Sequence, residues 1–361
     1  MKVSFIGQKG IPSRDGGVER YVESLSINLV SLEQEVVVYN RKDYLPDRLK
    51  EFKNVKIVNL PYINTKNLAA ITHTFLAICH VIWKKSDIIH LQGVGPSLLV
   101  WLPKVLSPRA KIVATLHSFD YYNEKWGWVA RNMLRLGEFM MCHLADTVIV
   151  LTKPTQVYIK EKYNRDAFVV PNGTNIYEDS GTDRLLPWGL QKDSYILSVS
   201  RIIRLKGLQY LIPAFLKTQT DKKLVITGDG EYLPELEKLA AGDPRIVFTG
   251  NQTGRTLDQL YANAYLFVQA SEMEGLSISL LEAMGHKTAC LVSDIDANKE
   301  AIGESGFIFQ TKNITDLQNK LQNLVDNPEQ VNIKSRALFE RAKSMFTWSG
   351  VAGRILAVYK S

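Results

Sequence analysis

At 361 residues the chain is long enough for two domains of ordinary size, each with its own core. Hydrophobic residues make up 45% and charged residues 22%, close to the averages for soluble globular proteins, and the absence of a low-complexity tract or repeat excludes a disordered chain and a solenoid. The net charge of +7 is uneven: residues 1–170 carry 23 Lys+Arg against 15 Asp+Glu and the rest carry 21 against 22, so the first half is either a plain solvated basic surface or meets an anionic partner, whether nucleic acid, a phosphate-bearing substrate or an anionic membrane leaflet.

The chain opens Met1-Lys2-Val3-Ser4-Phe5-Ile6-Gly7, a short alternating strand lacking the apolar stretch of about 7 to 15 residues found in a signal peptide, so the mature protein is expected to start here, in the cytoplasm. Cys79, Cys142 and Cys290 are odd in number and in no Cys-x-x-Cys spacing, which fits a reducing compartment. A helical pattern at 18–29 follows, then strands at 36–39 and 55–58. The apolar stretch 67–83 is broken by Thr72, His73, Thr74 and His80 and falls short of the roughly 20 residues a spanning helix needs, so a half-buried surface helix is expected. His73 and His80 share a helical face in apolar surroundings, which predicts packing rather than metal ligation. Strands at 88–91, 112–116 and 147–151 complete the first half.

Pro171-Asn172-Gly173-Thr174 carries turn chemistry and 175–193 is polar, which places the interdomain junction near residue 172. Strands at 195–199, 224–227, 246–248, 266–269 and 289–292 then alternate with helical segments, and 346–359 fits a terminal helix with room to pack back on the first domain. Strands alternating with helices predict an α/β protein with two doubly wound parallel sheets, in domains 1–171 and 172–345 with the tail 346–361.

Candidate chemistry lies at the carboxyl ends of predicted strands, where open α/β sheets bind ligands. Gly16-Gly17-Val18-Glu19-Arg20 opens a helix; glycines there let backbone N–H groups approach a phosphate, although a plain strand-to-helix turn explains them equally well. Arg201 and Lys206 follow the 195–199 strand and suit a diphosphate, or are simply solvated cations. In 271–284, Glu274 precedes a glycine and Glu282 interrupts an apolar helical run; carboxylates are natural acceptors for sugar hydroxyls, while Glu282 on a solvated helix face is the alternative. His117 is the one histidine at a strand's carboxyl end. No Asp-x-Asp pair stands ready to clamp a divalent ion between phosphates.

In order along the chain, Gly16-Gly17-Val18-Glu19-Arg20, Thr115-Leu116-His117, 170–175, Ser198-Val199-Ser200-Arg201 with Lys206-Gly207, Gly228-Asp229-Gly230 and 271–284, with its Glu, seven residues, Glu spacing from Glu274 to Glu282, resemble glycosyltransferase family 4, of the GT-B fold. Gly10-Ile11-Pro12 with Gly16-Gly17 is similar to the rhamnosyltransferase-like branch of bacterial surface-polysaccharide and capsule pathways. The resemblance implies two Rossmann-like domains facing a cleft. It further implies that Arg201 and Lys206 neutralise the donor diphosphate, that Glu282 binds the ribose, and that Glu274, with backbone N–H groups of Gly275, Leu276 and Ser277, holds the transferred sugar. His117 would contact that sugar, and Gly16 and Gly17 would face the diphosphate and acceptor. Fixed cations stabilise the departing nucleoside diphosphate without a metal or other cofactor, and the anomeric configuration is retained through front-face attack. The implied partners are a nucleotide-sugar, UDP-linked by default, a lipid-linked saccharide acceptor and the inner face of the cell membrane, met through Lys125, Trp126, Trp128, Arg131 and Arg135.

One stretch departs from the family pattern: Gly285-His286-Lys287-Thr288-Ala289-Cys290-Leu291 stands where Gly-x-Pro-Val-Val is usual, which leaves the turn's geometry open. A non-hydrolysing nucleotide-sugar 2-epimerase is the alternative activity, distinguished by needing acid and base residues for proton transfer. Nucleic-acid binding, prompted by the basic balance, lacks any of the usual recognition motifs, and no nucleic-acid partner is expected.

Overall fold

The apolar runs of the first half become strands β1 (Lys2–Ile6), β2 (Glu35–Arg41), β3 (Glu51–Phe52), β4 (Val55–Leu60), β5 (Ile88–Gln92), β6 (Lys111–Leu116), β7 (Thr147–Val150) and β8 (Phe168–Val169). They form one sheet in the order β3-β4-β2-β1-β5-β6-β7-β8, parallel except for the β3–β4 pair. In the computed structural model, which describes residues 1–14, 16–65, 68–122, 126–177 and 181–361, the second half builds β9 (Tyr195–Val199), β10 (Lys223–Thr227), β11 (Ile246–Gly250), β12 (Leu266–Gln269), β13 (Cys290–Ser293) and β14 (Phe307–Phe309). These form a second sheet, all parallel, in the order β11-β10-β9-β12-β13-β14. Central strands such as β5 and β12 are buried along their whole length, as expected for a parallel sheet covered by helices on both faces.

The chain divides into two units, Met1–Gly173 with Trp348–Ser361, and Thr174–Thr347. These limits fall two residues beyond the 171/172 and 345/346 boundaries read from the sequence. Local packing explains the shift: a Cβ on Gly173 would lie 2.5 Å from Trp348 Cδ2, which ties Gly173 to the terminal helix Trp348–Lys360. Thr174, in turn, donates its N–H to Phe346 O at 2.6 Å. The terminal helix belongs to the first unit, where it packs on the helix Gly17–Ser31.

The stretch expected to form a half-buried helix does so as Ala69–Lys84, burying Ala69, His73, Thr74, Ala77, Ile78 and Val81 and exposing Phe75, Leu76 and Trp83. Among the described residues, no helix is long and apolar enough to cross a membrane. Three short strands were not legible in the sequence: β3 and β8 have two residues each and β14 has three, too few for a period to register.

Candidate active site

In the second sheet β9 lies between β10 and β12, so the strand order reverses beside β9, and the crevice at the carboxyl ends of strands at such a reversal is where doubly wound sheets bind ligands. Two loops meet there, 200–207 after β9 and 270–277 after β12. Their approach depends on Gly207, whose φ of +70° suits glycine and whose Cβ, if present, would lie 1.9 Å from Ala270 O. Glu272 N–H donates to Leu205 O at 2.9 Å and locks the two loops together.

This closeness creates the main charged contact. Lys206 Nζ lies 2.5 Å from Glu274 Oε1, and Ser271 Oγ donates to the same oxygen at 2.7 Å. Both charged side chains are largely shielded, at 17% and 12% exposure, so the pair is stronger than a surface ion pair of the same length. Glu274 Oε2 has no hydrogen-bond partner among the described residues. Arg201 is exposed and has no ion pair among the described residues. A third loop, Gly228-Asp229-Gly230, lies along the first: Cβ atoms on Gly228 and Gly230 would fall 1.9 Å from Ser200 O and 2.2 Å from Ile202 O, and Ile202 N–H donates to Asp229 O at 2.8 Å.

Ser277 caps the helix Ile278–Gly285, its Oγ accepting from Leu280 N–H at 3.3 Å. Gly275, Leu276 and Ser277 therefore lead into the positive end of a helix dipole directly after Glu274. Glu282 is half-buried on that helix. The unusual turn beyond it is well formed. His286 N–H donates to Glu282 O and Thr288 N–H to Ala283 O, both at 2.9 Å, while Lys287 takes the left-handed conformation (φ +62°). His286 is stacked on Tyr177 with ring centroids 3.8 Å apart and lies 5.5 Å from Tyr261, which explains how a histidine is buried there. The following strand starts at Cys290, one residue later than expected.

In the first sheet the order reverses at β1, between β2 and β5. Gly16, at φ +91°, caps the helix Gly17–Ser31, which has no side-chain cap hydrogen bond. A Cβ there would lie 2.2 Å from Glu19 Oε2. Glu19 is buried in the first turn, its Oε1 accepting from Lys9 N–H at 2.9 Å, so the acid braces the backbone after β1. Asn40 clamps the same loop, accepting from Ile11 N–H (3.0 Å) and donating to Ile11 O (2.7 Å).

His117 follows β6 and is buried, with Nε2 2.8 Å from Gln92 Oε1 and its ring edge-on to Tyr21 at 4.8 Å. Burial pushes its pKa down to about 3, so the imidazole is neutral in ordinary solution. Because Gln92 Nε2 faces His90 O (3.5 Å), its Oε1 accepts from His117, which places the proton on Nε2 and leaves Nδ1 as an acceptor. Sequence reasoning marked Thr115 beside His117 but missed the rest of this surround, Tyr21, Gln92, His90, Trp348 and Tyr359. His90 exchanges hydrogen bonds with Tyr359 OH and Thr115 Oγ1, both at 2.7 Å, and Trp348 lies edge-on to Tyr21 at 5.9 Å. Only Gln92, the last residue of β5, carried a signal, its place at a strand's carboxyl end.

The expected residues thus fall in two sets: His117 with Gly16 and Gly17 in the first unit, and Arg201, Lys206, Glu274, Gly275, Leu276, Ser277 and Glu282 in the second. Among the described residues no group of three His, Cys, Asp or Glu side chains could hold a metal ion.

The family model described as Glycosyltransferase Family 4 matches residues 15–177, and that described as Glycosyl transferases group 1 matches residues 193–327. The chain belongs to glycosyltransferase family 4. Sulfoquinovosyl transferase SQD2 of Arabidopsis thaliana is 30% identical over 165 residues, 44% of this chain and 32% of that one, so the alignment spans about a third of that relative. A UDP-Gal:alpha-D-GlcNAc-diphosphoundecaprenol alpha-1,3-galactosyltransferase of Escherichia coli is 22% identical and aligns over 87% of this chain and 83% of its own. Among solved structures, Anabaena HepE in complex with UDP-glucose superposes with a TM-score of 0.82 at 18% identity, covering all of this chain and 99% of the other, which shows the GT-B fold. None of these three is described as an epimerase.

Proposed function

We propose that this glycosyltransferase moves a sugar, with retention and without a metal, from a nucleotide-sugar, a UDP-sugar before others, to a lipid-linked saccharide in bacterial surface-polysaccharide biosynthesis. The observation that carries the reading is the shielded Lys206–Glu274 pair beside Arg201, at the strand reversal and directly before the Gly275–Ser277 backbone. Departure of a nucleoside diphosphate builds negative charge on phosphate oxygens, and cations already fixed in place stabilise it with little reorganisation. Glu274 Oε2 then accepts from sugar hydroxyls, Glu282 from the ribose, and Arg201 and Lys206 take the diphosphate. In the first unit the neutral His117 accepts a sugar hydroxyl through Nδ1, and Gly16 and Gly17 offer uncapped helix N–H groups to the diphosphate and acceptor. No protein nucleophile or general base is assigned, since in front-face attack the leaving phosphate takes the acceptor's proton.

The donor assignment draws on the UDP-glucose bound in the Anabaena structure, and the acceptor on the diphosphoundecaprenol substrate named for the Escherichia coli relative. A rhamnosyltransferase-like or capsule role rests on the short Gly10-Ile11-Pro12 similarity alone. Peripheral docking on the inner membrane face is supported by the helix Trp128–Leu144, which exposes Trp128, Val129, Met133, Leu136 and Phe139 together with Arg135. Trp126 and Arg131 are half-buried, and Lys125 lies outside the described residues.

The test is to incubate the chain with EDTA, a panel of nucleotide sugars and a bacterial lipid extract, following diphosphate release and mass gained by the lipid. One added hexose or deoxyhexose, absent with Glu274→Ala, is the expected result. Isomerised donor without release would overturn transfer in favour of the epimerase.

A further inference from the structure

β2 ends at Arg41, whose backbone is held firmly: its N–H donates to Lys9 O at 2.8 Å, and it stands opposite Leu60 in the β2–β4 register. Its side chain is less well provided for. The guanidinium is partly buried over the ring of Tyr62, 5.5 Å from the centroid, and Nε has no hydrogen-bond partner among the described residues. Glu19 is close enough to favour the cation, yet it is engaged by Lys9 N–H, and no carboxylate forms an ion pair with Arg41 among the described residues. Burial accordingly pushes the Arg41 pKa below its ordinary value. A shielded cation left in this state is costly unless an anion completes it.

Tyr62 has a second role. With Ile63, Ile71, Phe75, Leu76 and Leu99 it lines an almost wholly apolar groove of about 500 Å³, within the usual range of small-ligand sites. Ile63 and Phe75 remain about half exposed. The groove and the cation therefore share one aromatic ring, and beyond the cation Glu19 and Lys9 lead to the Gly16 turn. An apolar trough that shares Tyr62 with an incompletely paired cation is complementary to an amphiphile with a hydrocarbon chain and an anionic head. An uncharged apolar partner would fill the trough but leave the guanidinium unmatched.

We infer that Arg41 and this groove hold the lipid end of the acceptor, with its phosphate or diphosphate on the guanidinium and the first carbons of its chain over Tyr62, Phe75 and Leu76. This rests on the lipid-linked acceptor proposed above. The probe is farnesyl diphosphate, titrated into the full chain below its micelle concentration, with farnesol and inorganic pyrophosphate as separate arms.

The wild type is expected to bind farnesyl diphosphate at least about tenfold more tightly than either arm, a charge-assisted contact and buried carbons each contributing about that factor. Arg41→Gln should remove about tenfold for the diphosphate and leave farnesol unchanged; Phe75→Glu, at an exposed position, should weaken both lipids and leave pyrophosphate unchanged. Melting curves check that each variant is folded, with Arg41→Lys as the milder replacement. Equal farnesyl diphosphate affinity in the wild type, Arg41→Gln and Phe75→Glu overturns the site, as does farnesol binding as tightly as its diphosphate. A dimer in light scattering that Phe75→Glu dissociates also overturns it, because the groove then joins two copies. Sugar transfer to lipid extract, measured alongside, separates the two readings. Undiminished transfer without the binding pattern overturns the site and spares the acceptor; the binding pattern with transfer only to a water-soluble acceptor upholds a lipid-phosphate site and overturns the acceptor.

Discussion

The two candidate residue sets, one in each unit, are built by opposite means. In the first unit the central residue, His117, is a buried neutral ring held by Gln92 and Tyr21, in a shell that reaches Trp348 and Tyr359 at the end of the chain. In the second, a charged pair sits on loops that three glycines bring into backbone contact. The contrast teaches that hydrogen-bond direction and shape can be set by side chains buried in a core, whereas charge has to be placed at a loop edge where a ligand can reach it. Buried groups in the first set resist ionisation, while the second leaves Arg201 exposed and holds the shielded Lys206 against Glu274 through backbone contacts between their loops.

Changes to the charged set in the second unit should have the largest effects. Lys206→Ala and Glu274→Ala are each expected to lower kcat by about 10²–10³-fold, as for loss of a fixed group facing developing charge, with little change in melting temperature. Steady-state kinetics beside a thermal melt checks this; a comparable loss of folding would place the pair in the scaffold instead.

Acid should single out the first unit. His73, with its pKa pushed down to about 4, and His90 and His117, each at about 3, all lie there and are neutral when folded. In the unfolded chain they protonate near pH 6.5. Their depressed folded pKa values therefore leave stability intact above pH 6.5 and remove it as pH falls towards 3 to 4, by about 1.4 kcal/mol per unit for each. Calorimetry from pH 7 to 5 should show the first unit's transition falling faster, and His90→Gln flattening that dependence. Parallel shifts of both transitions would contradict it.

For activity, His117→Ala is expected to reduce kcat/KM about tenfold, the worth of one hydrogen bond to the sugar, without altering the shape of the pH profile between pH 5 and 8. A lost inflection in that range would mean that His117 titrates during turnover. The mildest change is Tyr359→Phe, which leaves His90 Nδ1 without its hydroxyl and should cost about 1 kcal/mol, seen as a fall of a few degrees in Tm with kcat nearly intact.

Alternation of apolar runs with helical patterns was sufficient to read two parallel α/β halves, because burial on both faces forces continuous hydrophobic strands whatever the details of packing. The same local logic marked Arg201, Lys206, Glu274 and His117, since each follows a strand and strand ends carry the ligand loops of such sheets. What could not be read was how these residues are completed. Gly207 looks like any glycine until Ala270 is folded against it, and the Lys206–Glu274 pair joins residues 68 positions apart. Tyr359 meets His90 across 269 positions, and Arg41 acquires its unmatched charge only when Tyr62 closes over it. Strand pattern and strand-end chemistry are properties of neighbouring residues, and a sequence carries them directly. Desolvation, ion pairing and close backbone approach depend on which distant segments share a volume, and only the folded chain fixes that.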